Sequence, residues 1–559
     1  MSNKKFYGSY LLGLHFHIPW VLNKNEMEEE WLFEATAETY IPILNVFNRL
    51  ANEGVSPQVT VDISPVLCEQ LAHPDFKRKF EEYCWNKITE AQKDQAEFQN
   101  KDGHLHYLAS QWEKFYQETL DHFTKRYGYD LLQGFKTLQD DGHIEIMTCG
   151  ATHGYFPAMA EDTSIQAQTA LARANYRKYF GRDPRGMWLP ECGYRPSYWW
   201  RPPTPSRSGE WPYRRKGVEE FLSESGIRYF MVDDHQLRNA YPYDLDKNPL
   251  YGYIAGGAQA PGGDVSVLAR DIGLSLQVWR AEVGYPGDGT YLEFHKKHSL
   301  GKHRYWKVTD KKADLGWKQR YYPDDAMLGP HAKVKEHAGH YKYLIATSLK
   351  NHFELSGHQA MVMTTFDAEL YGHWWFEGPM FIYYVLRWIS QDPNIKPETV
   401  SSFLDRMPPV NRVYLPESSW GNNFDNSTWI NPEVHWVLDR EYAAEREMQY
   451  LVKELGGLAS VNRDVEKILK QAARELLLLQ ASDWKFMITN WSARDLAEKR
   501  VVEHHSDFFR LAAAAWCLHQ GKELSQEERE FIDSCCTRDN LFPEIDLSWY
   551  EGLRYPAVC

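Results

Sequence analysis

The stretch Met361–Pro379, MVMTTFDAELYGHWWFEGP, changes character twice along its length. It begins as an apolar run, becomes acidic at Asp367 and Glu369, and then becomes aromatic. An apolar run of this kind has the length of a strand buried on both faces of a parallel sheet. We therefore predict a strand that ends at the wall of a site, and the question is which of the two carboxylates does chemistry there.

Six other apolar runs end in polar or aromatic residues in the same way. They are YLLGLHFHIP at 10–19, QVTVDIS at 58–64, IEIMTCGATHGYFP at 144–157, RGMWLPECGY at 185–194, IRYFMVDDH at 227–235 and LSLQVWRAEVGYPGD at 274–288. Helical patterns separate several of them, at 26–52, 112–139, 162–180 and 333–354. Repeated strand–helix units with polar residues at the carboxyl ends of the strands predict a (β/α) barrel or a related parallel sheet, with the chemistry at that end.

Other regions break this rhythm. Residues 68–112 are charged and helical in pattern, which predicts an inserted helical segment. The regions 195–215 and about 241–330 are rich in loops, which in compact domains are often lids or binding loops. From residue 440 to 536 the patterns are helical. We predict a catalytic domain over 1–405 and a C-terminal helical domain over 406–559.

Composition narrows the class of protein. A chain of 559 residues predicts two or three domains. The formal net charge of -14 argues against a nucleic-acid partner. There is no apolar run long enough to span a membrane, and the N-terminus is interpreted as a first strand and not a signal peptide. The scattered cysteines form no zinc or disulfide pattern, so we expect a cytoplasmic protein.

Aromatic residues are abundant, with 21 tryptophans and 34 tyrosines. Two interpretations are open at this point. The aromatic side chains could fill large cores, or many could line a sugar groove, where flat apolar rings pack against the C–H faces of pyranoses.

The carboxylates at strand ends are the first candidates for catalysis. Asp367 and Glu369 are two residues apart, and on one strand they would share a face about 6–7 Å apart. Barrel enzymes more often take such a pair from different strands, and Glu191 in WLPECGY is the other exposed candidate. A single aspartate at a strand end is often only a helix cap. Two carboxylates, each beside aromatics at the end of an apolar run, fit a glycosidase pair.

Three histidines also lie at predicted strand ends: His15, His17 and His153. Their spacing is compatible with a metal site, and equally with imidazoles that bind sugar hydroxyls. The sequence contains no motif for a nucleotide or for another cofactor, and we predict no cofactor.

Five stretches of the chain, in order, resemble glycoside hydrolase family 57. They are HFHIPW at 15–20, CGATHGYFP at 149–157, WLPECGY at 188–194, TTFDAELYGHWW at 364–375 and ASDWKF at 481–486. MVDDH at 231–235 and QVWRAEVGYPGD at 277–288 look like the group of 1,4-alpha-glucan branching enzymes within that family.

The resemblance implies a fold and two catalytic residues. The fold is a distorted (β/α)7 barrel with a helical insertion and a C-terminal all-helical domain that closes the substrate groove. Glu191 matches the nucleophile of a retaining mechanism and Asp367 its general acid/base. Glu369 then becomes a supporting carboxylate.

The resemblance also implies contacts with substrate. Matching positions are Arg270, Gly287, Trp420, Asp483, the pocket histidines His15, His17 and His153 with no metal required, Trp279 near the acceptor path, and Tyr241 as the nearest candidate for a loop tyrosine over the site. Arg270, if it lies near Glu191, would keep that carboxylate ionised.

The activity implied is that of a branching enzyme acting on α-1,4-glucan donor and acceptor chains. A glucan hydrolase or 4-alpha-glucanotransferase of the same family is the alternative, and a metal-dependent barrel hydrolase or a non-catalytic glucan-binding protein is the alternative from another class. The oligomeric state is not predicted, and a monomer is possible.

Overall fold

The computed structural model describes residues 6–257, 263–280 and 283–554. Its main sheet contains seven parallel strands: β1 (Gly8–Phe16), β2 (Val59–Ile63), β3 (Ile144–Cys149), β4 (Gly186–Trp188), β5 (Tyr229–Asp233), β6 (Ser266–Arg270) and β7 (Ala360–Asp367). Their spatial order is β7-β1-β2-β3-β4-β5-β6. Just after β6, the backbone N–H of Asp271 donates to the carbonyl of Met363 in β7 at 2.7 Å, so the two ends of the sheet meet. The predicted distorted (β/α)7 barrel is confirmed.

The sixth strand is not where the sequence pattern placed it. The run that begins LSLQVW forms a helix, Ile272–Trp279, and the strand is the preceding segment Ser266–Arg270. A short apolar run does not distinguish a strand from a buried helix. Asp271 favours the helix, because its side chain accepts a hydrogen bond from the backbone N–H of Leu274 and caps the N-terminus of the helix. The strand therefore lies inside the region predicted as loops, and Glu282 of the predicted strand end lies outside the described residues.

Helices surround the barrel. Those that precede residue 407 are Glu26–Ala35, Ile41–Asn52, Pro65–Ala72, Pro74–Phe98, Gly103–Asp121, Leu131–Asp140, Asp162–Phe180, Val218–Glu224, Asp234–Arg238, Ile272–Trp279, Lys333–Ser356, Gly378–Ser390 and Val400–Arg406, with single π-helical turns at Thr36–Tyr40, His122–Arg126 and Asp324–Leu328. The four predicted helical stretches are helical in the structure, apart from a turn at 127–130 that interrupts the stretch 112–139. The predicted helical insertion is confirmed as well, because Pro74–Phe98 packs along Gly103–Asp121.

Short strands lie outside the barrel. Tyr198–Trp200 and Tyr213–Arg215 pair as an antiparallel hairpin within the loop-rich region 195–215. Tyr253–Ala255 joins the edge of the main sheet next to β6, Arg412–Val413 extends it further, and Ile395–Pro397 pairs with β1.

The C-terminal part is helical, as predicted. Its helices are His435–Ala459, Arg463–Leu479, Ser482–Asn490, Arg494–His519, Gln526–Arg538 and Ser548–Glu551. Their apolar faces join the same continuous core as the helices around the barrel. Residues 412–420 still pair with segments of the barrel side, so we propose that the domain boundary lies closer to residue 434 than to 405. In the described part of the chain, no helix is long and apolar enough to cross a membrane.

Candidate active site

The register of the parallel strands brings polar residues together at one edge of the barrel. His15 of β1 lies beside Asp367 of β7 on one side and beside Asp62 of β2 on the other. Asp233 of β5 lies beside Arg270 of β6. Because all these residues are at the carboxyl ends of their strands, the predicted convergence of site residues at that end occurs in the structure.

A cavity of about 890 Å³ opens at this edge. Nine of the predicted site residues line it: His15, His17, His153, Glu191, Arg270, Trp279, Asp367, Trp420 and Asp483. Its outer wall is formed by residues of the C-terminal part, among them Phe486, Met487 and Asn490. The volume is in the range of sites that hold small ligands, and apolar rings around a few carboxylates suit a sugar chain.

Glu191 lies just after β4 in a turn that fixes its side chain. Its backbone has a left-handed conformation, with φ 60° and ψ 23°, which is uncommon for a residue that is not glycine and is often found at functional sites. The indole N–H of Trp420 donates to one carboxylate oxygen at 2.7 Å, and the hydroxyl of Ser482 donates to the other at 3.1 Å. Burial raises the pKa of Glu191 to about 7, and the two hydrogen bonds work against that rise.

Asp367 is the last residue of β7 and faces the same cavity. Burial raises the pKa of Asp367 well above its ordinary value, and the negative charges of Glu369 and Glu191 raise it further. The carboxyl group of Asp367 is therefore protonated in conditions where an ordinary aspartate is ionised. A protonated carboxyl in a sugar-sized cavity can act as a general acid.

Asp367 and Glu369 do not lie on one strand, so the shared face that one strand would give them does not apply, and the supporting role of Glu369 stays a prediction. β7 ends at Asp367, and Glu369 lies in the 3-10 turn Ala368–Leu370 that follows. Glu369 accepts hydrogen bonds from the hydroxyl of Tyr40 and from the backbone N–H of His17 at 3.2 Å. Tyr40 closes the π-helical turn Thr36–Tyr40, an irregularity often found near functional sites.

The three histidines form a stack whose ring nitrogens all have hydrogen-bond partners in the protein. His15 bonds to Asp62 through Nδ1 and to Nε2 of His153 at 3.0 Å. His153 bonds to Ser482 through Nδ1 at 2.7 Å. The remaining ring, His17, bonds to Ser64 at 2.8 Å and to Asp483 at 3.2 Å.

Burial and neighbouring imidazoles hold the pKa values of His15 and His153 well below their usual range, so both rings are neutral. His17, His153 and Asp483 do each offer one atom within 4.8 Å of the others, as a metal site would require. A metal ion there would have to replace hydrogen bonds that the rings already make.

Arg270 contacts Trp420, the residue whose indole bonds to Glu191. Its guanidinium forms an ion pair with Asp233 at 2.6 Å and lies 5.1 Å above the ring of Trp420. Trp420 in turn holds the carboxylate of Glu191. That Arg270 keeps Glu191 ionised stays a prediction. The positive charge of Arg270 works against the rise in the pKa of Asp367, and its guanidinium packs on the indole that donates to Glu191.

Comparison with known proteins agrees with this architecture. Residues 11–416 match the family model "Glycosyl hydrolase family 57". The chain belongs to glycosyl hydrolase family 57. Residues 441–550 match the model "1,4-alpha-glucan branching enzyme, C-terminal". The assignment to the family and to its branching-enzyme group is confirmed.

Three known proteins are similar to nearly the whole chain. It is 37% identical to a 1,4-alpha-glucan branching enzyme of Thermococcus kodakarensis over 98% of this chain and 79% of the relative. The crystal structure of a family 57 branching enzyme from Pyrococcus horikoshii has a TM-score of 0.89 and 37% identity, covering 99% of this chain and 98% of that one. An alpha-amylase from Thermotoga maritima has a TM-score of 0.81 and 29% identity, covering 98% of this chain and all of that one (100%).

Two residues that the resemblance to family 57 pointed to do not line the cavity. The position of a Cβ on Gly287 is occupied by the side chain of Lys311, so this glycine lies beneath a lysine. Tyr241 is 57% exposed and pairs through its backbone with Tyr414.

Sequence reasoning missed several residues that line the cavity or touch Glu191, among them Ser482, Trp31, Trp429 and Phe486. Ser482 and Phe486 belong to the ASDWKF stretch, so their closeness to Asp483 was a usable signal. Trp31 lies on a helix of the barrel side and Trp429 in a loop, and nothing local in the sequence distinguishes either from a core residue.

Proposed function

We propose that the chain is a 1,4-alpha-glucan branching enzyme that works by a retaining double displacement, with Glu191 as nucleophile and Asp367 as general acid/base. One observation carries the proposal. The two partly buried carboxyls share a cavity whose outer wall comes from the C-terminal helices, the part of the chain that matches branching enzymes.

In the first step, ionised Glu191 attacks C1 of an α-1,4-linked glucosyl unit. Asp367 gives its proton to the departing O4, the glycosidic bond breaks, and the shortened glucan leaves with a free 4-hydroxyl. The donor chain is now esterified to Glu191 with inverted configuration at C1. The raised pKa of Asp367 fits its role here, because the group must hold a proton until the bond breaks.

In the second step, Asp367 is ionised and takes the proton of a 6-hydroxyl on an acceptor chain. That oxygen attacks C1, the ester bond to Glu191 breaks, and an α-1,6 linkage with net retention results. Trp420 and Ser482 donate to the two oxygens of Glu191, so they orient the carboxylate for attack and stabilise the charge that returns to it.

The remaining predicted residues line the sugar site in this proposal. Asp483 presents a carboxylate to the cavity, Trp279 and Trp420 present aromatic surfaces, and His17 and His153 add rings whose nitrogens bond within the protein and hold Asp483 and Ser482 in place. Tyr241 and Gly287 stay predictions from the resemblance, and a role for either requires a conformation in which it reaches the substrate. A cytoplasmic location also stays a prediction, which cell fractionation tests.

A hydrolase is the second candidate, and the 29% identity to an alpha-amylase over the whole chain favours it. The two activities differ only in what attacks the glycosyl ester, a glucan 6-hydroxyl or water. A groove that admits an acceptor chain and excludes water favours transfer.

Linkage analysis of the products separates these candidates. Purified protein is incubated with linear amylose, and the product is examined for α-1,6 anomeric protons and for new short chains after enzymatic debranching. New branches that are absent with Glu191→Gln support the proposal. Shorter linear chains, with a matching rise in reducing ends and no α-1,6 signal, would identify a hydrolase.

A further inference from the structure

The helix Ser482–Asn490 runs from Glu191 toward the mouth of the cavity. Asp483, Phe486, Met487 and Asn490 all line the cavity, and their spacing places them on one face of the helix. Exposure differs along that face. The side chain of Asp483 is 13% exposed and Met487 is buried, whereas Phe486, at 42%, and Asn490 are exposed. The buried start of the helix lies beside Glu191, and its far end lies in solvent.

Trp491 ends this helix in a conformation that disfavours a tryptophan. Its φ of 55° and ψ of 28° are left-handed, and its N–H bonds to the carbonyl of Met487. Glycine is the usual residue at this helix position, because a side chain strains the left-handed backbone. Ala493, two residues on, is left-handed as well, with φ 60°. Residues in such conformations persist where the surroundings fix them, and they occur often at ligand-binding sites.

The ring of Trp491 is exposed and held in place. It is 69% exposed, although the residues on either side of it, Asn490 and Ser492, line the cavity. The guanidinium of Arg494 lies 4.2 Å from the ring centroid, and ion pairs with Glu433 and Glu498 hold that guanidinium. A ring that buries so little of its surface contributes little to packing, and yet it is braced from one side.

We propose that Trp491 is a binding platform for the α-glucan chain at the mouth of the cavity. The inference rests on the proposed α-glucan activity and adds a subsite to it. Asn490 is eight positions after Ser482, a rise of about 12 Å along the helix axis. A sugar on Trp491 is therefore several glucosyl units from the bond that breaks, so the platform distinguishes long chains from short ones. Its flat apolar face suits the C–H face of a pyranose.

Binding measurements test the platform without depending on which linkage is made. Trp491→Gly is introduced in an inactive Glu191→Gln background, and affinity is measured for long amylose and for maltotriose. The control is Trp211→Gly, which removes a tryptophan that is 89% exposed and lies in the loop-rich region 195–215. We expect Trp491→Gly to weaken amylose binding about tenfold, which corresponds to 1.4 kcal/mol, and to leave maltotriose unchanged. The control should leave both affinities unchanged.

Stability provides the second readout. Glycine removes the backbone strain at position 491, so Trp491→Gly should have an unchanged or higher Tm, whereas the loss of a structural tryptophan would lower it. Trp491→Tyr keeps a flat ring and should recover most of the amylose affinity.

Unchanged amylose affinity in Trp491→Gly would overturn the proposal, and so would an equal loss for amylose and maltotriose. If the protein forms no α-1,6 bonds but still needs Trp491 to bind amylose, the branching function fails and the platform stands.

Discussion

The barrel edge and the C-terminal helices contribute different kinds of group to one cavity. The strand ends supply most of the ionisable groups, of which Glu191 and Asp367 are the central pair, and Asp483 of the C-terminal part adds one more carboxylate. The later segments supply neutral donors, the indole of Trp420 and the hydroxyl of Ser482, and an aromatic wall that includes Phe486. The difference suggests that the two regions have different functions. In the proposed mechanism, the barrel provides the reacting carboxyls, and the later segments orient one of them and select the chain that reaches it.

Changes to the barrel carboxyls should have the largest effects. Glu191→Gln removes the nucleophile, and kcat on amylose should fall by on the order of 10⁴-fold or more. Asp367→Asn removes the proton donor, and we expect a loss of about 10²- to 10⁴-fold. Initial rates of α-1,6 bond formation measure both.

Glu369→Gln is the matched control for Asp367→Asn, since both replace a buried carboxyl with an amide at the same cavity. Its loss should be smaller, because Glu369 is held by Tyr40 and by the backbone of His17. A greater loss of kcat in Glu369→Gln than in Asp367→Asn would show that the general acid has been assigned to the wrong residue.

Changes to the donors from the later segments should have intermediate effects. Trp420→Phe keeps a ring and removes the N–H that bonds to Glu191. A hydrogen bond to a charged group contributes about 1.5–3 kcal/mol, so kcat/KM should fall by roughly 10- to 100-fold. In Ser482→Ala, kcat/KM should fall less, because the hydrogen bond from Ser482 to Glu191 is longer than that from Trp420. Trp279→Phe, in the same cavity, is the control, and an equal loss there would mean that ring size and not the N–H matters.

The pH dependence of kcat/KM should also depend on the hydrogen bonds to Glu191. Glu191 must be ionised to attack, and burial raises its pKa to about 7, so activity should rise with pH near neutrality and fall when Asp367 loses its proton. The negative charge of Asp483 raises the pKa of Glu191, so Asp483→Asn should move the acid limb to lower pH. Trp420→Phe removes a bond that lowers that pKa and should move the limb to higher pH. Shifts in the opposite directions would contradict these electrostatic assignments.

Removal of metal should have the smallest effect. The ring nitrogens of His15, His17 and His153 already have protein partners, so exhaustive chelation should leave the rate on amylose unchanged. Loss of activity on chelation, restored by one added divalent metal, would favour the metal-dependent alternative.

The barrel side of the site was predictable from the sequence for a simple reason. Parallel strands bring their carboxyl ends to one edge, so a polar residue that follows an apolar run can be predicted to lie at that edge. His15, Glu191 and Asp367 were found in this way, and the family resemblance added their roles. The error at the sixth strand came from the same rule, because the helix that ends at Trp279 has an apolar run as well.

The contribution of the later segments was less predictable. The bond from Trp420 to Glu191 spans 229 positions of sequence, and that from Ser482 spans 291. No local pattern encodes such a pairing, which depends on how the helical part packs on the barrel. The left-handed backbone at Glu191 and at Trp491 could not be predicted from the sequence either, because neither residue is a glycine.

Trapping of the covalent intermediate tests the central claim most directly. The protein is incubated with a 5-fluoro-α-glucosyl fluoride, which forms the glycosyl ester but slows its breakdown, and the modified peptide is sequenced by mass spectrometry. The account predicts a single adduct on the peptide that contains Glu191, and no adduct in Glu191→Gln. An adduct on Asp367 or Glu369 would contradict it.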